Sequence, residues 1–103
     1  MQIIATLADK IDEELHDAEE YAELAHKTRM EHPKLAETFI TLAEQEMTHQ
    51  KMLHTEAARL IEESRQRNGE PPAGMLAVYE YEHGKQIKRA ATIRQMIADY
   101  RNS

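Results

Sequence analysis

The stretch MEHPKL, Met30 to Leu35, decides the fold because it interrupts an otherwise helical pattern. Pro33 suits the first turn of a helix, and a proline disfavours helical geometry at the preceding residue, here His32. We therefore predict a helix that ends near Met30 and a second helix that begins at Pro33. A connection this short makes the two helices antiparallel neighbours whose apolar stripes face the same side.

Apolar residues recur at steps of three and four on both sides of this break, which is the spacing of one helix face. They predict a first helix over about residues 3–30 and a second over about residues 33–67. The segment NGEPPAG then ends the second helix with a glycine and two prolines. A third helix is predicted over about residues 73–100, with Gly84 as a weak point.

The chain is an all-α protein by this reading. Its 103 residues include only 3 glycines and 3 prolines and are rich in helix formers, so we expect one small domain. Residues 1–67 form the hairpin that carries the candidate metal ligands, residues 68–74 form a linker, and residues 75–103 form the C-terminal helix.

Composition and charge exclude several classes of protein. With no cysteine there are no disulfides or thiolate ligands, and a cytoplasmic location is expected. No apolar run is long enough to cross a bilayer and no leader segment is apparent, so no membrane partner is expected. Residues 1–63 carry 6 basic and 15 acidic side chains, whereas residues 64–103 carry 7 basic and 4 acidic ones. Acidic residues are interspersed in this basic part, so we predict a solvated helix face there and no nucleic-acid partner.

Three polar residues interrupt the apolar stripes. In EQEMTH, Glu44 to His49, the residues Glu46 and His49 occupy positions where the pattern expects apolar side chains. Glu14 does the same on the first helix. A residue spacing of three places Glu46 and His49 on one helix face, and Glu14 lies at a similar depth from the hairpin turn. We therefore predict that these three residues bind a metal ion, since a buried carboxylate needs a compensating partner.

The three residues are half of a known ligand set. Di-iron carboxylate bundles use a Glu from each of two helices and a Glu-x-x-His from each of the other two. Two copies of the hairpin related by a two-fold axis would supply the whole set around two metal ions. We therefore predict a homodimeric four-helix bundle, with iron as the metal and with zinc, manganese or calcium as alternative occupants of the site.

The segments EELHDAEEYAELA, residues 13–25, and LAEQEMTH, residues 42–49, resemble the encapsulated ferritins of the ferritin-like superfamily. The resemblance covers roughly residues 8–62. It implies a ferritin-like two-helix hairpin that dimerises to form a ferroxidase centre, as a homodimer or as a ring of dimers. It also implies an encapsulin shell as a partner, so enclosure in a protein nanocompartment is an alternative to a free cytoplasmic protein.

Other polar residues receive secondary roles. Tyr21 follows Glu14 by seven residues and is predicted to pack in the core with its hydroxyl near a ligand carboxylate. Glu13, His16 and Glu20 share a helix face and form a candidate outer site for incoming metal. The remaining histidines are expected at the surface: His26, His32, His54 and His83.

Two functions are compatible with these features. The first is a ferroxidase, which oxidises Fe(II) to Fe(III) with oxygen or peroxide for iron storage or detoxification, with Glu14, Glu46 and His49 as catalytic ligands. The second is a helical dimeric scaffold. In that case any metal or polar layer is structural, and the basic C-terminal helix docks on a partner.

Overall fold

The computed structural model describes residues 2–103 and contains three α-helices and no strand over that range. They are α1 (Gln2–Thr28), α2 (Pro33–Asn68) and α3 (Ala73–Asn102). The prediction of an all-α chain with three helices is confirmed, and each helix end lies within about two residues of the predicted one. Helix α3 runs without interruption through Gly84.

Proline and glycine determine the two connections between the helices. Pro33 occupies the start of α2, and the backbone N–H of His32 donates to the carbonyl of Thr28 at 2.8 Å, which closes the turn after α1. At the other end of α2, Gly69 adopts a positive φ of 76° and its N–H donates to the carbonyl of Arg65. A residue without a Cβ atom adopts this conformation at little cost.

Small residues hold α1 and α2 together. Leu15 and Ile40 are fully buried, and the positions around them are mostly alanines, which let the two helix backbones approach closely. The fully buried alanines are Ala18, Ala22, Ala25, Ala36 and Ala43.

Helix α3 packs along one side of the hairpin. Ala90 and Ile93 of α3 join Ile11 and Leu15 of α1 and Met47 of α2 in one apolar cluster. Polar contacts accompany it: the Gln86 amide donates to the Ala8 carbonyl and to Asp12, Arg89 pairs with Glu19, and Arg101 pairs with Glu37 and Glu44. The basic side chains of Arg89 and Arg101 are therefore engaged within the chain.

The opposite side of the hairpin is not covered by α3. Glu19 and Glu44 contact α3, and successive residues of a helix are about 100° apart around its axis. Glu14 is therefore about 140° from Glu19, and Glu46 is about 160° from Glu44. We call this side the open face. Besides Glu14 and Glu46, it carries half-buried apolar or aromatic residues: Leu7, Tyr21, Phe39, Leu42, Leu53 and Leu60.

Over residues 2–103, no helix combines the length and the apolar character needed to span a membrane.

Candidate metal centre

Glu14, Glu46 and His49 meet on the open face. Each offers one ligand atom, and these atoms all lie within 4.8 Å of one another. Glu14 comes from the middle of α1, whereas Glu46 and His49 are one helical turn apart on α2. The structure thus brings together the three residues that the sequence proposed as ligands, as a group able to hold a metal ion.

The geometry places the imidazole beside both carboxylates. The Nδ1 atom of His49 is 3.5 Å from Oε2 of Glu14 and 3.7 Å from Oε1 of Glu46. The side chains of Glu14 and Glu46 are 26% and 19% exposed, whereas that of His49 is 52% exposed. The carboxylates are therefore partly withdrawn from water, and the imidazole lies at the outer edge of the group.

One ligand atom lacks a partner. Oε2 of Glu14 is buried and accepts no hydrogen bond within residues 2–103. A buried carboxylate oxygen without a donor is costly, and a bound cation would satisfy it. This atom is also the one nearest to Nδ1 of His49, so the unsatisfied oxygen points toward the other two ligands.

The prediction that Glu46 and His49 occupy core positions was wrong by one residue. At this level the buried residues of α2 are Ala43, Met47 and Gln50, each one position after a member of the predicted stripe. The reason is that α3 packs on the hairpin and draws the core of α2 toward its own side. The predicted stripe lies instead on the open face, at the rim of the core.

Tyr21 packs on the open face, seven residues after Glu14. Its ring stacks on Phe39 with 6.2 Å between the ring centroids. Within residues 2–103, Oε2 of Glu14 has no hydrogen-bond partner, so it receives no hydrogen bond from the Tyr21 hydroxyl. The spacing of seven residues from Glu14 places Tyr21 on the same helix face. A role of Tyr21 beside the metal ligands stays a prediction.

The candidate outer site is only partly assembled. His16 Nε2 lies 3.2 Å from Glu20 Oε1, whereas Glu13 pairs with Lys10. All of these side chains are exposed. His16 and Glu14 are two positions apart, which places them about 160° from each other around α1. The outer site therefore faces away from the three ligands of the open face.

Sequence reasoning missed one side-chain cluster. His54 and His83, expected at the surface, are half-buried and stack with 4.5 Å between ring centroids. His54 Nε2 lies 2.9 Å from His83 Nδ1, and Tyr79 stacks on His83. Burial, with the neighbouring His83, lowers the pKa of His54, and burial raises the pKa of Tyr79. These residues form a contact between α2 and α3. Because they lie on different helices, no helical spacing in the sequence predicts that they meet.

Comparison with known proteins gave no match: no family model, no curated protein and no solved structure matches the chain. The likeness to encapsulated ferritins therefore rests on the two short motifs and stays a prediction.

The ligand atoms limit which metal ions the site is suited to bind. Two carboxylates and one imidazole are oxygen and nitrogen ligands that suit iron, manganese or zinc. Three ligands from one chain leave positions free on a four- to six-coordinate ion. Such an ion could accept a ligand from a second chain, a water molecule or an oxidant.

Proposed function

We propose that the protein is a ferroxidase in which two copies, paired through their open faces, form a ferritin-like four-helix bundle around two iron ions. The observation that carries the proposal is the meeting of Glu14, Glu46 and His49 on the open face, which lies opposite α3. Three ligands from each copy would supply the complete di-iron set of such bundles. The chain would act in iron storage or detoxification.

The apolar residues of the open face support pairing. Phe39, Leu42 and Leu53 are only half-buried in the single chain, although they lie on the same side as the ligands. Removing apolar surface from water is favourable by about 25 cal/mol per Å². A second copy would bury these side chains and would withdraw the ligands from water at the same time.

The reaction needs only Fe(II), oxygen and protons from water. Each of two Fe(II) ions gives up one electron, and O₂ accepts both electrons and two protons to leave as hydrogen peroxide. The carboxylates of Glu14 and Glu46 favour the product, because hard oxygen ligands stabilise Fe(III) more than Fe(II). The imidazole of His49 is a neutral ligand, which limits the negative charge of the site.

Aerobic oxidation of Fe(II) tests the proposal. The purified chain is mixed with Fe(II) in air, and the appearance of Fe(III) is followed in the near ultraviolet. We expect oxidation well above the rate in buffer, with saturation at two Fe(II) per dimer. Glu14→Ala and Glu46→Ala should reduce it to the buffer rate, because each removes one oxygen ligand from both halves of the site.

Glu23→Ala is the matched control, because Glu23 is an exposed carboxylate on the same helix as Glu14. It should oxidise Fe(II) as the parent chain does. If all the variants and the parent match the buffer rate, the chain is not a ferroxidase. A metal-dependent dimer without oxidation would then favour the scaffold with a structural metal.

A further inference from the structure

A groove of about 490 Å³ lies between α2 and α3, and none of its lining residues is Glu14, Glu46 or His49. Its floor is apolar: Met47 and Ala90 are nearly buried, and Ile87 is 51% exposed along one wall. Sites for small organic ligands typically measure about 300–1,000 Å³ and are lined mainly by apolar side chains. The groove has the size of such a site, and its lining combines three apolar residues with six polar or charged ones.

Two cations line the groove from opposite walls. Lys51 belongs to α2 and Arg94 belongs to α3. Within residues 2–103 neither forms an ion pair, whereas Arg89 and Arg101 of α3 both do. Both side chains are exposed, and no acidic residue lines the groove with them. An anion between them would relieve their mutual repulsion.

The side-chain amide of one groove residue makes no hydrogen bond within residues 2–103. Gln50 lines the groove and is only 9% exposed, yet its side chain makes no hydrogen bond within residues 2–103. Gln86 is similarly buried at 8% exposure but donates to Ala8 and Asp12. Its amide atoms are not among the fully buried atoms that lack a partner, so they are accessible to solvent and free to form a hydrogen bond. Its NH₂ group is a donor suited to an anionic oxygen.

We propose that this groove binds a small organic anion with an apolar body, of which a medium-chain carboxylate is the simplest example. Lys51 and Arg94 pair with the head group, Gln50 donates a hydrogen bond, and the apolar chain lies along Met47, Ile87 and Ala90. The site shares no residue with Glu14, Glu46 and His49. The proposal therefore goes beyond the proposed iron oxidation and does not depend on it.

Titration of the full-length chain with octanoate, followed by ¹H–¹⁵N NMR, tests this site. We expect saturable shifts of the Gln50 side-chain amide and of the backbone amides of Ile87 and Ala90. Octanol and octylammonium have the same apolar chain with a neutral or a positive head group, and inorganic phosphate is an anion without the chain. Each of these three should bind at least about tenfold more weakly than octanoate. Octanol and octylammonium lack the negative head group, and phosphate lacks the apolar chain.

Matched variants locate the cations. Lys51→Gln and Arg94→Gln should each weaken octanoate binding about tenfold, since a charge-assisted contact is lost. Lys88→Gln removes an exposed cation of α3 that does not line the groove, and it should leave the affinity unchanged. The amide spectrum of each variant without ligand shows whether it is folded, so loss of binding is separated from loss of structure.

Several results would overturn the proposal. They are the absence of saturable shifts, equal affinity for octanol, equal affinity for phosphate, or shifts confined to open-face residues such as Phe39 and Leu53. The titration uses no metal ion, so its failure leaves the proposed ferroxidase untouched. Conversely, a chain without Fe(II) oxidation could still bind octanoate as predicted.

Discussion

His49 and Glu14 meet across the hairpin, with Nδ1 of the imidazole 3.5 Å from Oε2 of the carboxylate, although the two residues belong to different helices. Oε2 is buried and accepts no hydrogen bond within residues 2–103. Glu46 completes the group from the same helix as His49. Two carboxylates thus share a confined space with a single imidazole, an arrangement that suits a bound cation better than it suits the metal-free chain.

Glu46→Gln should therefore stabilise the metal-free chain and weaken its metal binding. The substitution removes one of two neighbouring negative charges, and such partly exposed pairs change the free energy of unfolding by at most about 1 kcal/mol. Urea unfolding in the presence of a chelator measures this gain. Zinc should raise the unfolding temperature of the parent chain but not that of the variant, because a ligand stabilises only the state that binds it.

His49→Ala should lose the zinc effect as well, and His32→Ala is its control. His32 is exposed at the start of α2 and makes no side-chain capping bond. Zinc should stabilise the control as it stabilises the parent. Equal stabilisation of all three chains would show that zinc binds elsewhere and that Glu14, Glu46 and His49 form only a polar layer.

Leu42→Glu should prevent dimerisation through the open face. Leu42 is half-buried on that face, and a charge there would have to be desolvated in the paired state. Sedimentation velocity at micromolar concentration measures the outcome: we expect dimers for the parent and monomers for the variant. Val78→Glu places the same charge on an exposed residue of α3 and should stay dimeric. A monomeric parent chain with bound metal would contradict pairing.

The bounds of the helices could be predicted from the sequence because residues with special backbone geometry lie at their ends. Pro33 starts α2, and Gly69 with its positive φ ends it. The depth of Glu14 and Glu46 could also be estimated, since both positions are measured from the same short turn. The apolar period and this depth together therefore identified the three residues that meet on the open face.

The remaining features depend on how α3 docks, which local spacing does not encode. Docking of α3 makes Met47 a core residue and leaves Glu46 at the rim. It also brings His83 of α3 against His54 of α2, 29 residues away, where no motif links the two. The groove lined by Lys51 and Arg94 arises in the same way, because its walls belong to different helices.

Ile93→Ala should destabilise the chain far more than Arg101→Ala. Ile93 is fully buried among residues of α1, and loss of a buried isoleucine side chain costs about 2–5 kcal/mol. Arg101 pairs with Glu37 and Glu44, but these groups are largely exposed, so the pairs contribute at most about 1 kcal/mol. Urea unfolding compares the two. A larger loss for Arg101→Ala would show that ion pairs, rather than apolar contacts, hold α3 on the hairpin.

Gly84→Ala and Gly69→Ala should have opposite effects on the free energy of unfolding. A Cβ atom at Gly84 meets no atom within 4 Å, so alanine should stabilise α3 by about 0.5–1 kcal/mol through its helix propensity. At Gly69 there is also space, but the φ of 76° is strained for alanine, and we expect a loss of about 1–2 kcal/mol. Thermal unfolding followed by circular dichroism measures both. A stabilised Gly69→Ala variant would mean that the end of α2 can adopt another conformation.

The stacked pair of His54 and His83 should make the chain less stable at mildly acidic pH. Burial and the neighbouring His83 lower the pKa of His54 in the folded chain below its usual value of 6.5. As the pH falls below that value, the unfolded chain takes up a proton at His54 that the folded chain binds less readily. The free energy of unfolding is therefore highest above the unfolded-state pKa and falls as the pH drops through the folded-state pKa.

His54→Gln removes this titrating group, so its stability should fall less than that of the parent between about pH 7.5 and about pH 5.5. His32→Gln removes an exposed histidine that has no side-chain capping bond, and it should show the parental drop. Denaturant unfolding at the two pH values measures the difference for each chain. The other groups around the pair are Tyr79, whose pKa is raised by burial, and Glu82, which lines the same small cavity. An identical drop in all three chains would assign the acid sensitivity to groups other than His54.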